Sequence, residues 1–92
     1  MKRLLKFNPI IESGEELGGY TISLNEIDMY GEGTTIEVAK EDLIDAINEY
    51  VTIYIKQIDL FSKVEKIEKQ VYMLKLIRCD GNRDQIKKEI GL

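Results

Sequence analysis

Between residues 34 and 80 this 92-residue chain carries neither glycine nor proline. A stretch of forty-seven residues without a breaker predicts helix, because sheet of that length needs residues that reverse the chain. Leu43, Ile47, Tyr50, Tyr54, Ile58, Phe61, Val64, Ile67, Val71, Leu74 and Ile77 recur within it every three or four positions, at a mean spacing of 3.4. That period is closer to the roughly 3.5 of a coiled-coil seam than to the roughly 3.6 of an isolated helix. Three successive steps of three from Ile58 to Ile67 interrupt the heptad, so a kink, an overwinding or a chain break belongs there. Ser62-Lys63-Val64-Glu65 has the form of a capping box and could open a second helix. Asn82-Arg83-Asp84-Gln85 repeats that signature after Gly81 and predicts a short helix over residues 82–90. One rival concerns Tyr50-Val51-Thr52-Ile53-Tyr54-Ile55, whose β-branched and aromatic content also suits a strand. No turn residues bound it, which favours helix.

The first forty residues read differently. Leu4, Leu5, Phe7, Ile10 and Ile11 form an apolar run broken by Pro9, as in an edge strand. A polar loop follows from Glu12 to Gly19, through Glu15, Glu16 and Leu17. Tyr20, Ile22 and Leu24 share one face of a strand, and the phase then shifts to Ile27 and Met29, as a bulge near Asn25-Glu26 would allow. Gly31-Glu32-Gly33 reads as a hairpin loop, with Thr34, Ile36 and Val38 alternating on the return strand. The expected architecture is α+β: a three-stranded antiparallel β-meander (1–39), a long helical segment (40–79), kinked or broken, and a short C-terminal helix (82–90), all in one domain.

Length turns this pattern into an expectation about assembly. A continuous helix over 40–79 would measure about 60 Å, whereas a compact domain of this size is about 30 Å across. The half beyond Phe61 would leave its stripe in water, and each such side chain forgoes roughly 1.5–3 kcal/mol of burial. Either the chain folds back near Ser62, or a second copy covers the stripe. No Gly, Pro or Asn signals a tight reversal there, so self-association through Phe61, Val64, Ile67, Val71, Leu74 and Ile77 is the expected solution.

The net charge of −4 conceals an asymmetry. Residues 12–49 hold eleven acidic groups and one base, Lys40, whereas residues 50–92 hold six acidic and nine basic groups. Glu41, Asp45 and Glu49 stand four apart on one helical face, with Glu37 one step before them, although like charges at that spacing repel. A solvated face that confers solubility accounts for such a row. The alternative is a docking surface for a protein with a basic surface, with Glu37, Glu41, Asp45 and Glu49 as its contacts. The lysines of the later half alternate with Glu65 and Glu68 as on an ordinary exposed helix face.

Composition removes several kinds of chemistry. There is no histidine, hence no His-based triad and no imidazole metal ligand. A single cysteine, Cys79, builds neither a disulfide nor a zinc site and reads as a packing residue. Gly14-x-x-x-Gly18-Gly19 lacks the Gly-Lys-Ser/Thr ending of a phosphate loop, and Glu15 and Glu16 would repel phosphate. Glu26 and Asp28, placed on one strand face, read as solvent-facing rather than as a carboxylate pair. No 18-residue apolar run suggests a membrane span, and residues 1–11 lack the layout of a signal peptide, so the expected location is the cytoplasm. Fourteen isoleucines against two alanines and ten lysines against three arginines resemble usage in low-GC Gram-positive bacteria and their phages.

Taken together, these features predict a non-enzymatic interaction protein without cofactor or metal. It pairs with itself and uses its acidic surface to bind or inhibit a macromolecule, for instance as a phage or mobile-element accessory protein acting in the host cytoplasm. Two alternatives stay open: a nucleic-acid-binding regulator using the basic later half, disfavoured by the net charge, and a small-ligand binder with a pocket between protomers.

Overall fold

In the computed structural model, which describes residues 6–14 and 18–92, three strands form an antiparallel sheet. They are β1 (Ile10–Ser13), β2 (Tyr20–Leu24) and β3 (Met29–Gly33), in spatial order β1-β2-β3. Leu4 and Leu5 of the expected first run, and Glu15, Glu16 and Leu17 of the expected loop, lie outside the described residues. Register pairs Ile22 with Ile11 on one side and with Gly31 on the other, so Tyr20, Ile22, Leu24, Met29 and Gly31 share one face. Ile22 and Leu24 are fully buried on it.

The meander is real but sits elsewhere in register than the sequence suggests. Its second reversal falls at residues 25–28, where Leu24 C=O accepts from Ile27 N–H (3.3 Å) and Asn25 C=O from Asp28 N–H (3.4 Å). Asp28 takes the left-handed conformation at φ 54°, which Asp and Asn tolerate better than most residues. The phase shift read as a bulge is therefore this turn. Gly31-Glu32-Gly33 is not a loop but the end of β3. Its glycines serve close approach of the helix that follows: a Cβ on Gly31 would collide with the backbone of Ala39 and Leu43, and one on Gly33 with Val38.

Residues 36 and 38, expected on a third strand, lie instead in the first turn of helix α1 (Ile36–Lys56). Three alternating apolar residues are too few to separate the two periods, and Thr35 decides the matter. Its Oγ1 accepts from Val38 N–H at 3.1 Å and caps the helix. The helix thus starts at Ile36 rather than near Lys40, and residues 50–55 are helical. Its buried stripe of Ala39, Leu43, Ile44 and Ile47 lies over the sheet, and Tyr54 farther along the helix is buried beneath the ring of Phe61.

The helical stretch is then broken twice. At Gln57 one amide serves both Ile53 C=O (3.1 Å) and Tyr54 C=O (3.2 Å), and α2 (Ile58–Val64) follows at once. At Glu65 (φ −82°, ψ 148°) and Lys66 (φ −63°, ψ 142°) the backbone is extended, and α3 (Ile67–Ile77) turns back to pack on α1. The largest extent of the described residues is 41 Å, so no straight 60 Å rod exists. Ser62 does not cap a new helix: its Oγ donates to Asp59 C=O at 3.0 Å, while Glu65 N–H closes α2 on Phe61 C=O at 2.9 Å. The reversal is held by Gln70, whose Nε2 donates to Glu65 C=O (2.9 Å) and more distantly to Ser62 C=O (3.4 Å). Fold-back near this point was the alternative left open by the sequence, and it is the one adopted.

The break resets the helical phase. Along α3 the buried residues are Tyr72, Met73 and Leu76, not Val71, Leu74 and Ile77. The final helix α4 (Arg83–Ile90) is capped by Asn82, whose Oδ1 accepts from Gln85 N–H at 3.0 Å, and ends at Gly91 with φ 85°. Ile86 and Ile90, one turn apart, seat it in the core. Phe7 packs on Tyr72 (ring centroids 4.8 Å apart), and Tyr72 Oη donates to Lys6 C=O at 3.2 Å.

Candidate protein-binding surfaces

Two surfaces stand out, one charged and one apolar. The charged one follows from the four-residue spacing along α1, which aligns Glu37, Glu41, Asp45 and Glu49. Glu37 is three-quarters exposed and reaches Lys40 Nζ at 3.3 Å. Glu49 is exposed at the other end of the row. The middle pair is engaged from within the chain. Arg83 spans them, with Nη2 donating to Glu41 Oε1 at 2.6 Å and Nη1 to Asp45 Oδ1 at 2.7 Å. Lys87 Nζ adds a contact to Glu41 Oε2 at 3.0 Å. These hydrogen bonds, Arg83 first and Lys87 second, hold the Glu41 carboxyl below its ordinary range, and Asp45 and Glu41 hold the Arg83 guanidinium above its own. Asp42, on another side of the helix, accepts from Glu32 N–H at 2.9 Å and so covers an edge donor of β3.

The apolar surface lies on the second half of the chain. Val64 is 67% exposed, Ile67 77% and Leu74 53%. Ile53, Ile55, Ile58 and Leu60 are likewise exposed, and α2 has no buried residue at all. Of the six residues expected in a self-association stripe, these three face solvent. Phe61, Val71 and Ile77 are half-buried. Phe61 stacks on Tyr54 with centroids 4.5 Å apart and planes 8° from parallel, and Tyr50 meets both rings edge-on. The two tyrosines of the seam therefore pack, as their spacing suggests.

A cleft between the β2–β3 turn and the start of α3 is lined by Asn25, Glu26, Asp28, Glu65, Lys69 and Tyr72, among others. Glu26 and Asp28 belong to the turn rather than to one strand face. Glu26 Oε2 accepts from Asn8 N–H at 3.1 Å, and its Oε1 is buried with no hydrogen-bond partner among the described residues. Lys69 lies 3.4 Å from Glu65 and 3.7 Å from Asp28. Burial pushes its ammonium down, yet Tyr50, Glu65 and Asp28 together hold it above the ordinary lysine value. Burial, and then the charges of Glu26 and Glu68, push the Tyr72 hydroxyl up. Among the described residues no group of three or more acidic or thiol side chains is placed to hold a metal ion. Cys79 is half-buried with its thiol donating to Lys75 C=O at 3.4 Å, and burial pushes the thiol up, away from nucleophilic use. Among the described residues no helix is long and apolar enough to cross a membrane.

Sequence reasoning missed Arg83 and Lys87 as partners of the acidic row. A usable signal was present: Ile86 and Ile90 define a face that must be buried, and Arg83 and Lys87 lie one turn apart beside it. A family model described as PHD-like, antitoxin of toxin–antitoxin, RelE/RelB, TA system, matches residues 1–91. No curated protein and no solved structure matches the chain.

Proposed function

We propose a function from one premise: the chain belongs to the PHD-like antitoxin family of RelE/RelB toxin–antitoxin systems. It acts as a protein-binding regulator whose partner is a toxin protein, and it performs no catalysis of its own. The observation that carries this is the match over residues 1–91, which takes in both surfaces described above. The acidic row of Glu37, Glu41, Asp45 and Glu49 is the toxin-facing element, and the toxin presents a basic surface to it. Such complementarity speeds encounter and makes binding weaken with salt. The exposed ends of the row, Glu37 and Glu49, support this reading, while Arg83 bridges Glu41 and Asp45 from within the chain, so a toxin cation reaches that middle pair by joining or displacing it.

The second element is self-association through Phe61, Val64, Ile67, Val71, Leu74 and Ile77, supported by the exposure of Val64, Ile67 and Leu74. Leaving such side chains in water forgoes part of the roughly 1.5–3 kcal/mol that each gains on burial. The compartment is the cytoplasm, of a phage-infected host where a phage carries the gene.

Co-expression with RelE-type toxins tests the assignment. Growth is expected to recover, with toxin and chain recovered as a complex that dissociates between low and high salt. Undiminished toxicity together with no complex across a panel of such toxins would contradict it.

A further inference from the structure

The apolar period falters between Ile58 and Ile67, but the break between α2 and α3 contains no helix-breaking residue. Ser62, Lys63, Val64, Glu65, Lys66 and Ile67 include no Gly, Pro or Asn, and Glu and Lys are good helix formers held here in extended backbone. The break also gives α3 an N-cap, Lys66, whose side chain makes no capping hydrogen bond. Burial of Tyr72, Met73 and Leu76 against the rest of the molecule holds the chain folded back. Local preference and tertiary packing therefore point in opposite directions at residues 65–66.

A second copy of this chain resolves the conflict. If α2 and α3 straighten into one helix, α3 and α4 leave their own α1 and can seat on the α1 of another copy, remaking every buried contact in trans. The seat is charge-matched for it: Arg83 and Lys87 of the incoming α4 meet Glu41 and Asp45 as they do within one chain. Straightening also brings Leu60, Val64, Ile67, Val71 and Leu74 onto one line, with steps of four, three, four and three. At about 100° per residue that line lies on the side of the helix opposite Tyr72, Met73 and Leu76. Four of its five members, all but the half-buried Val71, are exposed in the folded-back chain, so the line is free to face its counterpart in the partner.

We infer that this chain dimerises by exchanging α3 and α4 about a hinge at Glu65 and Lys66, the straightened α2–α3 helices pairing along Leu60, Val64, Ile67, Val71 and Leu74. The inference rests on the self-association proposed above and narrows its seam to Val64, Ile67, Val71 and Leu74, with Leu60 added and Phe61 and Ile77 on its flanks. Exchange of an element costs little beyond association because the exchanged contacts are native ones.

Lys66→Pro separates the two. Lys66 has φ −63° and ψ 142°, and Glu65 before it is extended, so proline fits the folded-back chain. The same proline inside a continuous helix is disfavoured by a factor on the order of 100. Native mass spectrometry and light scattering across a concentration series are expected to show wild-type dimers and a Lys66→Pro dimer at least about 100-fold weaker. Dimers of equal strength in both would overturn exchange and leave face-to-face association standing. A wild-type chain that is monomeric at every concentration would overturn both. A second measurement guards against a misfolded proline variant: Glu41→Lys/Asp45→Lys is refolded together with Arg83→Glu/Lys87→Glu. Exchange restores both seats only in the mixed dimer, so heterodimer far above the statistical half is expected. A statistical mixture would overturn exchange.

Discussion

Helices α1 and α2 are neighbours in sequence and equally rich in Ile and Leu, yet Leu43, Ile44 and Ile47 of α1 are fully buried while α2 buries nothing. The difference lies in what stands opposite. The stripe of α1 meets a sheet face stripped of side chains at Gly31, so helix and strand backbones touch. In α2 only Phe61 is even half-buried, against the rings of Tyr54 and Tyr50. Periodicity states which face of a helix is apolar; burial requires a second surface shaped to receive it.

The largest effects should fall where that surface exists. Leu43→Ala is expected to cost about 3 kcal/mol through lost burial and the cavity left behind, whereas Ile67→Ala in the monomer should stay within about 0.5 kcal/mol. Urea midpoints of the two variants check this, and similar shifts in both would break the contrast. Gly31→Ala should cost about 2 kcal/mol, because the added methyl has only the backbone of α1 to displace; thermal unfolding reads it directly.

A third prediction concerns how α4 is tethered over α1. The Glu41 carboxyl is held below its ordinary value of 4.5 by Arg83 and Lys87. A group whose folded value is depressed adds stability above its unfolded value and loses it as pH falls through the folded one. The gap in melting temperature between wild type and Glu41→Gln should therefore be full near neutrality and close as pH drops below 4.5. A gap independent of pH would mean the ion pairs do not tether α4. The smallest effect is expected at the β2–β3 turn, where Asp28 sits at φ 54°. Asp28→Gly relieves the left-handed backbone but gives up the 3.7 Å contact to Lys69, so its melting temperature should stay closest to that of the wild type.

The same contrast explains how much the sequence disclosed. The α+β order, the meander, the helical stretch and its interruption were legible because glycine spacing and apolar period are local properties. The register was not: Gly31 and Gly33 look like turn residues until the helix crossing them is known, and Asn25-Glu26 looks like a bulge until Asp28 is seen in the left-handed region. The reversal was legible only as a region near Ser62, and its place at Glu65 and Lys66 was not, because it is imposed by packing of Tyr72, Met73 and Leu76, with Gln70 fixing it afterwards. Glu37, Glu41, Asp45 and Glu49 were readable as a row. That Arg83 and Lys87 answer its middle was not, since the Ile86–Ile90 face places them beside a buried seam without saying which element, about forty residues away, lies opposite.

Carboxylate footprinting of the chain, alone and bound to a RelE-type toxin, tests the central claim most directly. The ends of the row, Glu37 and Glu49, should lose most of their labelling in the complex, while exposed Glu12 and Glu89 keep theirs. Unchanged labelling of Glu37 and Glu49 in a stable complex would show that the toxin docks elsewhere and would contradict the acidic row as its binding surface.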